Sequence, residues 1–298
     1  MNSAASVKAR LVNISRKTGR TMDSLLVIYG MERTIYRMSI SRYVNNFTLK
    51  GGVFLYAMFH GGYSRVTIDL DFLLERLSND EENMRRIFSE IFSIEADDPL
   101  NYDLRSLKVS PITVLNEYHG VNISVFAYLE RTRIPISIDV GVGDVVFPDK
   151  VKMEFPVVLG ETRPIINAYS LGSCVAEKFE AIVSLGYDNS RFKDFYDLYI
   201  LAHSFDFDGE ELRGAIKETF NNRGTELKDI VAFEDDFSND SLRITRWNAF
   251  IKKKKAMRYA SFEETISTIR KFVGPVIESI ENETQWPKHW SHEDESWN

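Results

Sequence analysis

Two aspartates, Asp69 and Asp71, lie two positions apart in the alternating run from Val66 to Phe72. The alternation predicts a strand whose apolar residues share one face, so both carboxylates leave the opposite face side by side. Neighbouring carboxylates make each other's ionisation more costly, and a divalent cation removes that cost. The pair therefore indicates a metal site.

A third aspartate, Asp139, follows the same pattern further along the chain. In residues 134–140 the aliphatic side chains Ile136, Ile138 and Val140 occupy one face, and Asp139 occupies the other with Ser137. Taken alone, Asp139 is equally typical of a turn at a strand end. Together with Asp69 and Asp71 it completes three carboxylates, the oxygen ligands that Mg²⁺ or Mn²⁺ prefers.

The run Lys50-Gly51-Gly52 precedes these aspartates and has the features of a phosphate-binding turn. Residues 47–50 predict a strand, the two glycines a tight turn, and residues 53–59 a buried helix. Glycines allow phosphate oxygens to approach backbone N–H groups at a helix N-terminus, where the helix dipole favours negative charge. A phosphate cradle beside a carboxylate pair is the layout of a nucleotidyltransferase that uses a nucleoside triphosphate.

Three hypotheses fit these residues, and the first is a metal-dependent nucleotidyltransferase in which Asp69, Asp71 and Asp139 hold the metal. A lone Asp-x-Asp is more often a solvated strand face than a metal site, and a lone Gly-Gly is a weaker signal still. A glycosyltransferase also grips a nucleotide-sugar pyrophosphate with Asp-x-Asp, but it does not need the glycine turn or a helical second domain. The third hypothesis is a non-catalytic protein that binds RNA or a partner on an inactive transferase fold.

The second half of the chain offers one further group of charged residues. Lys178 lies on a predicted helix beside core residues, so it either extends to water or binds a triphosphate. Asp194 and Asp197 lie three residues apart on one helix face, which is unfavourable unless a cation is near. Two interpretations stay open: Lys193 pairs with Asp197, or Asp194 orients Lys178 or another basic group that faces the substrate.

Composition fits an enzyme of about two domains. The chain has 298 residues, 44% of them hydrophobic, and no run near the ~20 apolar residues of a membrane span. Basic residues interrupt the N-terminus, so we expect no signal peptide, and the single cysteine, Cys174, fits a reducing cytoplasm as a core residue.

Charge is distributed unevenly along the chain. The formal net charge is −7, yet residues 1–50 hold nine Lys and Arg against two acidic residues. A second basic cluster comprises Arg243, Arg246 and residues 252–255. Each cluster is either a solvated helix face or a foothold for RNA phosphates.

Periodicity predicts an α+β fold. Helices are expected over 7–19 and 24–38, after a cap at Asn79 or Asp80, and throughout the chain after about residue 165. Strands are expected over 107–114, 121–129 and 134–140, the first two joined by a turn near 117–120. We expect Pro275 to interrupt the last helix and the chain after Trp286 to be frayed. The predicted segments are 1–45 (basic N-terminal helices), 46–165 (the domain with the candidate site) and 166–298 (a C-terminal helical domain).

The chain resembles the AbiEii/AbiGii-type nucleotidyltransferase toxins of abortive-infection and type IV toxin–antitoxin systems. The resemblance covers roughly residues 7–255 and rests on residues 25–33, 49–52, 65–72, 136–144, 176–178, 191–198 and 246–250. It implies a nucleotidyltransferase-type mixed β-sheet domain with flanking helices, then an α-helical bundle. It also implies a cognate antitoxin protein as partner and nucleotide addition to an RNA, with the tRNA 3′ acceptor end as the expected target.

The resemblance also assigns roles to residues. It implies metal ligands at Asp69, Asp71 and Asp139, further catalytic residues at Lys178 and Asp194, and triphosphate binding by Lys50, Gly51, Gly52, Arg65, Thr67 and Lys178. The Gly-Gly pair departs from the commoner Gly-Ser of the wider superfamily. That departure removes one hydroxyl ligand for phosphate, so the backbone amides and Lys50 must contribute more.

Overall fold

The computed structural model describes residues 3–63, 69–112, 120–254 and 258–298. These residues form two compact units, of which the first is Met1–Gly143 with Val151–Ala168 and the second is Asp144–Lys150 with Tyr169–Asn298. Residues 144–150 thus group with the second unit, although strands of the first unit flank them in sequence. The division at residues 45 and 165 stays a prediction.

The first unit is built around a mixed β-sheet. Its described helices and strands are α1 (Ala4–Thr18), α2 (Met22–Ile40), β1 (Phe47–Lys50), α3 (Gly51–Met58), β2 (Asp69–Leu74), α4 (Glu81–Phe92), β3 (Leu100–Ile112), β4 (Gly120–Leu129), β5 (Thr132–Val142), β6 (Val151–Glu154) and β7 (Ile165–Ala168). Within the described ranges the strand order is β3-β4-β5-β2-β1-β7-β6. β2 runs parallel to β5 and β1 parallel to β7, while the other neighbours are antiparallel.

The alternating runs predicted as strands near 121–129 and 134–140 are confirmed as β4 and β5, and in both the aliphatic residues are buried. β3 begins at Leu100, seven residues before the predicted start. The prediction missed these residues because a register shift between Asp103 and Lys108 breaks the alternation there. Residues 113–119, which include the end of the predicted strand and most of the predicted turn, lie outside the described residues.

Helix α2 is buried against the sheet and fixes the position of β5. A Cβ atom added at Gly30 would lie 2.8 Å from Ile136 Cδ1 and 2.9 Å from Ile134 Cγ2, so the helix backbone approaches β5 as closely as glycine permits. In the C-terminal half of α2, Arg33 Nε and Arg37 Nη1 each lie 2.8 Å from Asp98 Oδ2. Burial acts to raise the pKa of Asp98, but its hydrogen bonds with the two arginines lower that pKa overall.

A buried acid on α2 holds the loop between β6 and β7. Both carboxylate oxygens of Glu32 accept a hydrogen bond from the Val158 N–H, at 3.1 and 3.0 Å. Burial raises the pKa of Glu32 to about 8, and the nearby carboxyl group of Glu161 acts in the same direction. Burial therefore favours the neutral, protonated form of Glu32.

The second unit is mainly helical. Its described elements are α5 (Leu171–Leu185), α6 (Phe192–Ala202), β8 (Phe207–Asp208), α7 (Gly209–Arg223), α8 (Asp235–Ser238), α9 (Ser241–Lys254), α10 (Phe262–Glu281), β9 (His289–Ser291) and β10 (Ser296–Trp297). Asp208 and Ser261 accept hydrogen bonds from the Glu211 and Glu264 N–H groups, which caps α7 and α10. Cys174 is buried in this unit, and burial raises the pKa of its thiol to about 12, so its predicted place in the core is confirmed.

Three expectations for the C-terminal half are wrong. The chain after residue 165 is not wholly helical, because β7, β8, β9 and β10 follow that point. The segment after Trp286 is not frayed: Trp290 is 1% exposed, and its indole N–H donates to the Ala202 carbonyl at 2.7 Å. Pro275 does not interrupt α10, whose buried stripe continues on both sides of the proline, so packing offsets the lost backbone hydrogen bond.

None of the helices in the described ranges is long and apolar enough to cross a membrane.

Candidate active site

Four neighbouring strands of the first unit place one polar residue each in a single row. Lys50 on β1 is paired with Asp71 on β2, Asp71 with Asp139 on β5, and Asp139 with Asn122 on β4. Residues paired directly across neighbouring strands project from the same face of a sheet. The two aspartates that lie far apart in sequence are thus brought side by side, between a lysine and an amide.

Asp69, two residues before Asp71 on β2, projects from the same face of the sheet. It is exposed and is paired with Ser137, whereas Asp71 is half-buried and the intervening Leu70 is completely buried on the other face. Residues 69–72 of β2 therefore alternate between the two faces as the sequence predicts, while Leu73 and Leu74 are both buried. Arg65 and Thr67, which the sequence places with the triphosphate, lie outside the described residues.

The glycine turn lies directly against the second aspartate. Gly51 has a φ of +68°, in the left-handed region, and a Cβ atom added there would lie 2.1 Å from Asp71 Oδ2. Glycine is therefore required both for the backbone conformation and for the close approach. Helix α3 begins at Gly51, two residues before its predicted start, so its N-terminus meets the Asp71 carboxylate; Gly52 is buried in its first turn.

Asn122 is a member of the row that sequence reasoning missed. Its side-chain N–H group donates to Asp139 Oδ1 at 2.7 Å and to Ser137 Oγ at 3.0 Å. In sequence Asn122 is one polar residue in an alternating strand, and nothing local connects it to Asp139. The signal lies in the pairing of β4 with β5, which becomes visible only in the sheet.

The donor set fits Mg²⁺ or Mn²⁺ in its chemistry, since the shared face offers carboxylate oxygens on neighbouring strands. A site for one ion also requires that all three carboxylates lie close enough together to bind it. Among the described residues no three His, Cys, Asp or Glu side chains come together closely enough to hold a metal ion. The three-carboxylate site of Asp69, Asp71 and Asp139 thus stays a prediction.

The second unit contains a buried chain of charges that includes Lys178 and Asp194. The Lys178 amine lies 2.6 Å from Asp197 Oδ2 and 3.4 Å from Asp194 Oδ1, and its side chain is 9% exposed. Asp194 in turn binds Arg191 Nε at 2.6 Å, and the Arg191 side chain is 48% exposed. The cation near the two aspartates is therefore Lys178, with Asp197 as its shorter contact, and Arg191 is the exposed end of the chain of charges.

Asp144 and Glu177, two acids of the motifs, contact a single arginine. Arg223 Nη2 lies 2.9 Å from Asp144 Oδ1 and 3.8 Å from Glu177 Oε2, and Nη1 lies 2.6 Å from Glu180 Oε2. Burial acts to lower the pKa of Arg223, but Glu177 and Asp144 raise it overall. This cluster attaches residues 144–150 to α5 and α7 within the second unit.

Most basic residues of the N-terminal segment are used inside the first unit. Six of them bind acids, backbone carbonyls or a tyrosine there: Lys8, Arg10, Arg20, Arg33, Arg37 and Arg42. Arg16 and Lys17 are exposed in the last turn of α1. The high positive charge of this segment therefore serves the fold to a large extent.

The second basic cluster is divided between two roles. Arg243 stacks over the Phe237 ring, 4.0 Å from its centroid, and donates to the Asn189 carbonyl at 2.9 Å. Arg246, Lys252 and Lys253 are exposed on α9. The side chain of Lys254 and residue 255 lie outside what the structure describes.

A mixed sheet that carries an aspartate pair next to a glycine turn, followed by helices, is the arrangement expected of a nucleotidyltransferase. The family model "Nucleotidyl transferase AbiEii toxin, Type IV TA system" matches residues 33–267. The chain belongs to this family of toxins and is a nucleotidyltransferase, which decides among the three hypotheses. A comparison with curated proteins gives no match.

Solved structures show the same fold at low sequence identity. A putative nucleotidyltransferase from H. pylori is 14% identical, with a TM-score of 0.50, over 88% of this chain and 98% of that one. MenT4, a nucleotidyltransferase toxin from Mycobacterium tuberculosis H37Rv, is 17% identical, with a TM-score of 0.50, over 91% of this chain and 98% of that one. The predicted α+β fold, a nucleotidyltransferase-type sheet with a helical C-terminal region, is confirmed.

Proposed function

We propose that this nucleotidyltransferase transfers a nucleoside monophosphate from a nucleoside triphosphate to an RNA end, with the tRNA 3′ acceptor end as target. The observation that supports the proposal best is the row of Lys50, Asp71 and Asp139, with Gly51 against the Asp71 carboxylate. The row brings a cation, two carboxylates and a helix N-terminus together, which are the groups that position a triphosphate.

The reaction is a simple substitution at phosphorus. The terminal hydroxyl oxygen of the RNA forms a bond to the α-phosphorus, the bond from that phosphorus to the bridging oxygen breaks, pyrophosphate leaves, and the hydroxyl proton passes to water. Asp69, Asp71 and Asp139 would hold Mg²⁺ or Mn²⁺, which neutralises the triphosphate and the leaving pyrophosphate. Lys50 and the N–H groups at the start of α3 bind the phosphate oxygens.

The proposed acceptor and the proposed antitoxin are supported by different observations. Family membership supports a toxin that a cognate antitoxin protein neutralises. The exposed Arg246, Lys252 and Lys253 on α9 support a polyanionic acceptor, because exposed cations gain affinity by neutralising phosphates. RNA is the acceptor that accounts for both the basic helix and the resemblance to toxins that act on tRNA.

The reaction is tested by incubating the purified protein and Mg²⁺ with each labelled nucleoside triphosphate and total RNA, then separating the products by size. Label in a tRNA-sized band that is absent with Asp71→Ala is the expected result. Label confined to protein, or no labelled RNA with any of the nucleoside triphosphates, would overturn the proposed acceptor. Co-expression with a candidate antitoxin tests the proposed partner, because the cognate antitoxin should abolish the labelled band.

For Lys178 and Asp194 we propose a role in holding the triphosphate. Because Lys178 forms a buried ion pair with Asp197, the variant that tests Lys178 must change both of these residues. Lys178→Ala alone leaves Asp197 buried without its cation, which costs about 3–5 kcal/mol and risks unfolding. Lys178→Gln combined with Asp197→Asn exchanges the ion pair for two neutral amides that can hydrogen-bond each other. Calorimetry should show weaker triphosphate binding than in Asp197→Asn alone, by about 1.5–3 kcal/mol for one charged contact. Equal affinity in the two proteins would leave Lys178 with a purely structural role.

A further inference from the structure

We propose that Asn122 is a positioning residue that orients the Asp139 carboxylate toward the metal, an inference that rests on the proposed metal-dependent transfer. Its amide N–H group lies 2.7 Å from Asp139 Oδ1 and 3.0 Å from Ser137 Oγ, so one side chain contacts both polar residues that β5 presents on this face. In this role Asn122 acts through its hydrogen bond to Asp139 and not by binding the nucleotide.

The geometry explains why the carboxylate needs this partner. Asp139 is half-buried between Asp71 on β2 and Asn122 on β4. A carboxylate can rotate about its terminal torsion, which is broad rather than confined to narrow wells. The bond from Asn122 holds Oδ1 on the β4 side, which would leave Oδ2 to bind the metal.

An amide serves this purpose better than a charged donor. A lysine or arginine at position 122 would form an ion pair with Asp139 and reduce its negative charge toward a metal. Asn122 donates a hydrogen bond and leaves that charge in place. Hydrogen-bond partners of metal-binding carboxylates typically change metal affinity or activity by about 10- to 100-fold when they are removed.

The test uses Asn122→Leu, which is close to asparagine in shape and lacks the donor, and Asn122→Val, which favours a strand if the leucine does not fit. Free Mn²⁺, measured by electron paramagnetic resonance in titrations of the intact protein, reports binding without any turnover. We expect the Mn²⁺ dissociation constant to rise about 10- to 100-fold in both variants. Asn101→Leu, the same change at an exposed position on β3, is the matched control and should bind Mn²⁺ like the wild type.

A double-mutant cycle distinguishes positioning from a general effect on the sheet. In an Asp139→Ala background, Asn122→Leu should cause no further loss of Mn²⁺ affinity, because the group through which it acts is gone. An equal loss in both backgrounds would overturn the proposal. Unchanged Mn²⁺ affinity in Asn122→Leu and Asn122→Val, or no Mn²⁺ binding by the wild type, would overturn it too.

The assay of nucleotide transfer separates this inference from the proposed function. If the wild-type protein labels no RNA while Mn²⁺ binding depends on Asn122 as expected, the positioning role stands and the proposed acceptor is wrong. If the wild type labels RNA and the Asn122 variants match it in Mn²⁺ affinity, the proposed function stands and the positioning role is wrong.

Discussion

The contact between Gly51 and Asp71 permits a sharp experiment, in which Gly51→Ala adds a single methyl group. The added Cβ would lie 2.1 Å from Asp71 Oδ2, whereas ordinary contact begins at 3.4 Å, so the carboxylate or the start of α3 must move by about 1.3 Å. A displacement of about 1 Å in an active site can lower a rate about 10²-fold. We therefore expect at least a 100-fold loss of nucleotide transfer.

Backbone strain is the competing explanation, and the chain supplies a control for it. Alanine in the left-handed region costs roughly 1–2 kcal/mol wherever it occurs. Gly19, at the end of α1, has a φ of +71° close to the +68° of Gly51, but nothing lies within 4 Å of the position of its Cβ. Gly19→Ala therefore carries the same strain without the contact to Asp71.

The assay compares initial rates of label incorporation and thermal unfolding for the two variants and the wild type. Both variants should lose roughly 1–2 kcal/mol of stability from strain, and Gly51→Ala somewhat more from its contact with Asp71, while only Gly51→Ala loses transfer. Transfer by Gly51→Ala within a few-fold of Gly19→Ala would refute the view that the glycine keeps space for the Asp71 carboxylate.

Three further predictions follow from the same structure. Asp71→Ala should abolish transfer and leave the melting temperature near that of the wild type, because the side chain is only half-buried; measurable turnover in that variant would remove Asp71 from the metal site. The raised pKa of Glu32, about 8 against 4.5, predicts a stabilising contribution that is complete below pH 4.5 and is lost as pH rises to about 8; it amounts to at most about 5 kcal/mol. Denaturant unfolding from pH 5 to 8.5 should show this decline in the wild type and a flatter curve in Glu32→Gln, and a wild-type stability that rises over that range would contradict it. Reversal of charge at Lys252 and Lys253 should weaken RNA binding and flatten its salt dependence without changing triphosphate affinity, and filter binding at several salt concentrations that shows an unaltered slope would exclude α9 from the acceptor site.

Local alternation was enough to predict much of the sheet and the face that carries the aspartates. Strand β5 repeats aliphatic and polar residues with a period of two, so Asp139 could be assigned to the face opposite Ile138 from sequence alone. The short strands β6 and β7 could not be found in this way, because four residues carry too little periodicity. The resemblance of the motifs supplied the enzyme class, which periodicity does not contain.

Sequence reasoning offered Asp194 as a partner of Lys178, at 3.4 Å in the structure, but it missed Asp197, the shorter contact. Lys178 and Asp197 are nineteen positions apart on two helices, and the bond between them depends on how α5 and α6 pack. Sequence spacing within one helix made Lys193 a candidate partner of Asp197, since residues four apart are neighbours there. The buried Lys178 amine lies 2.6 Å from Asp197 Oδ2, so packing between helices supplies a cation that local spacing cannot indicate.

The apolar side of the sheet determines the geometry of the polar side. A slip of one residue between β2 and β5 would turn Asp71 or Asp139 toward the core and an aliphatic residue toward solvent. Leu70 and Ile138 are register partners, and both are completely buried, so the core resists that slip. The close approach of α2 at Gly30 to Ile136 holds β5 from the same side. The alignment of Asp71 with Asp139 is thus stabilised by residues that never touch a nucleotide, and substitutions on the buried face of β5 should impair transfer through register as well as through stability.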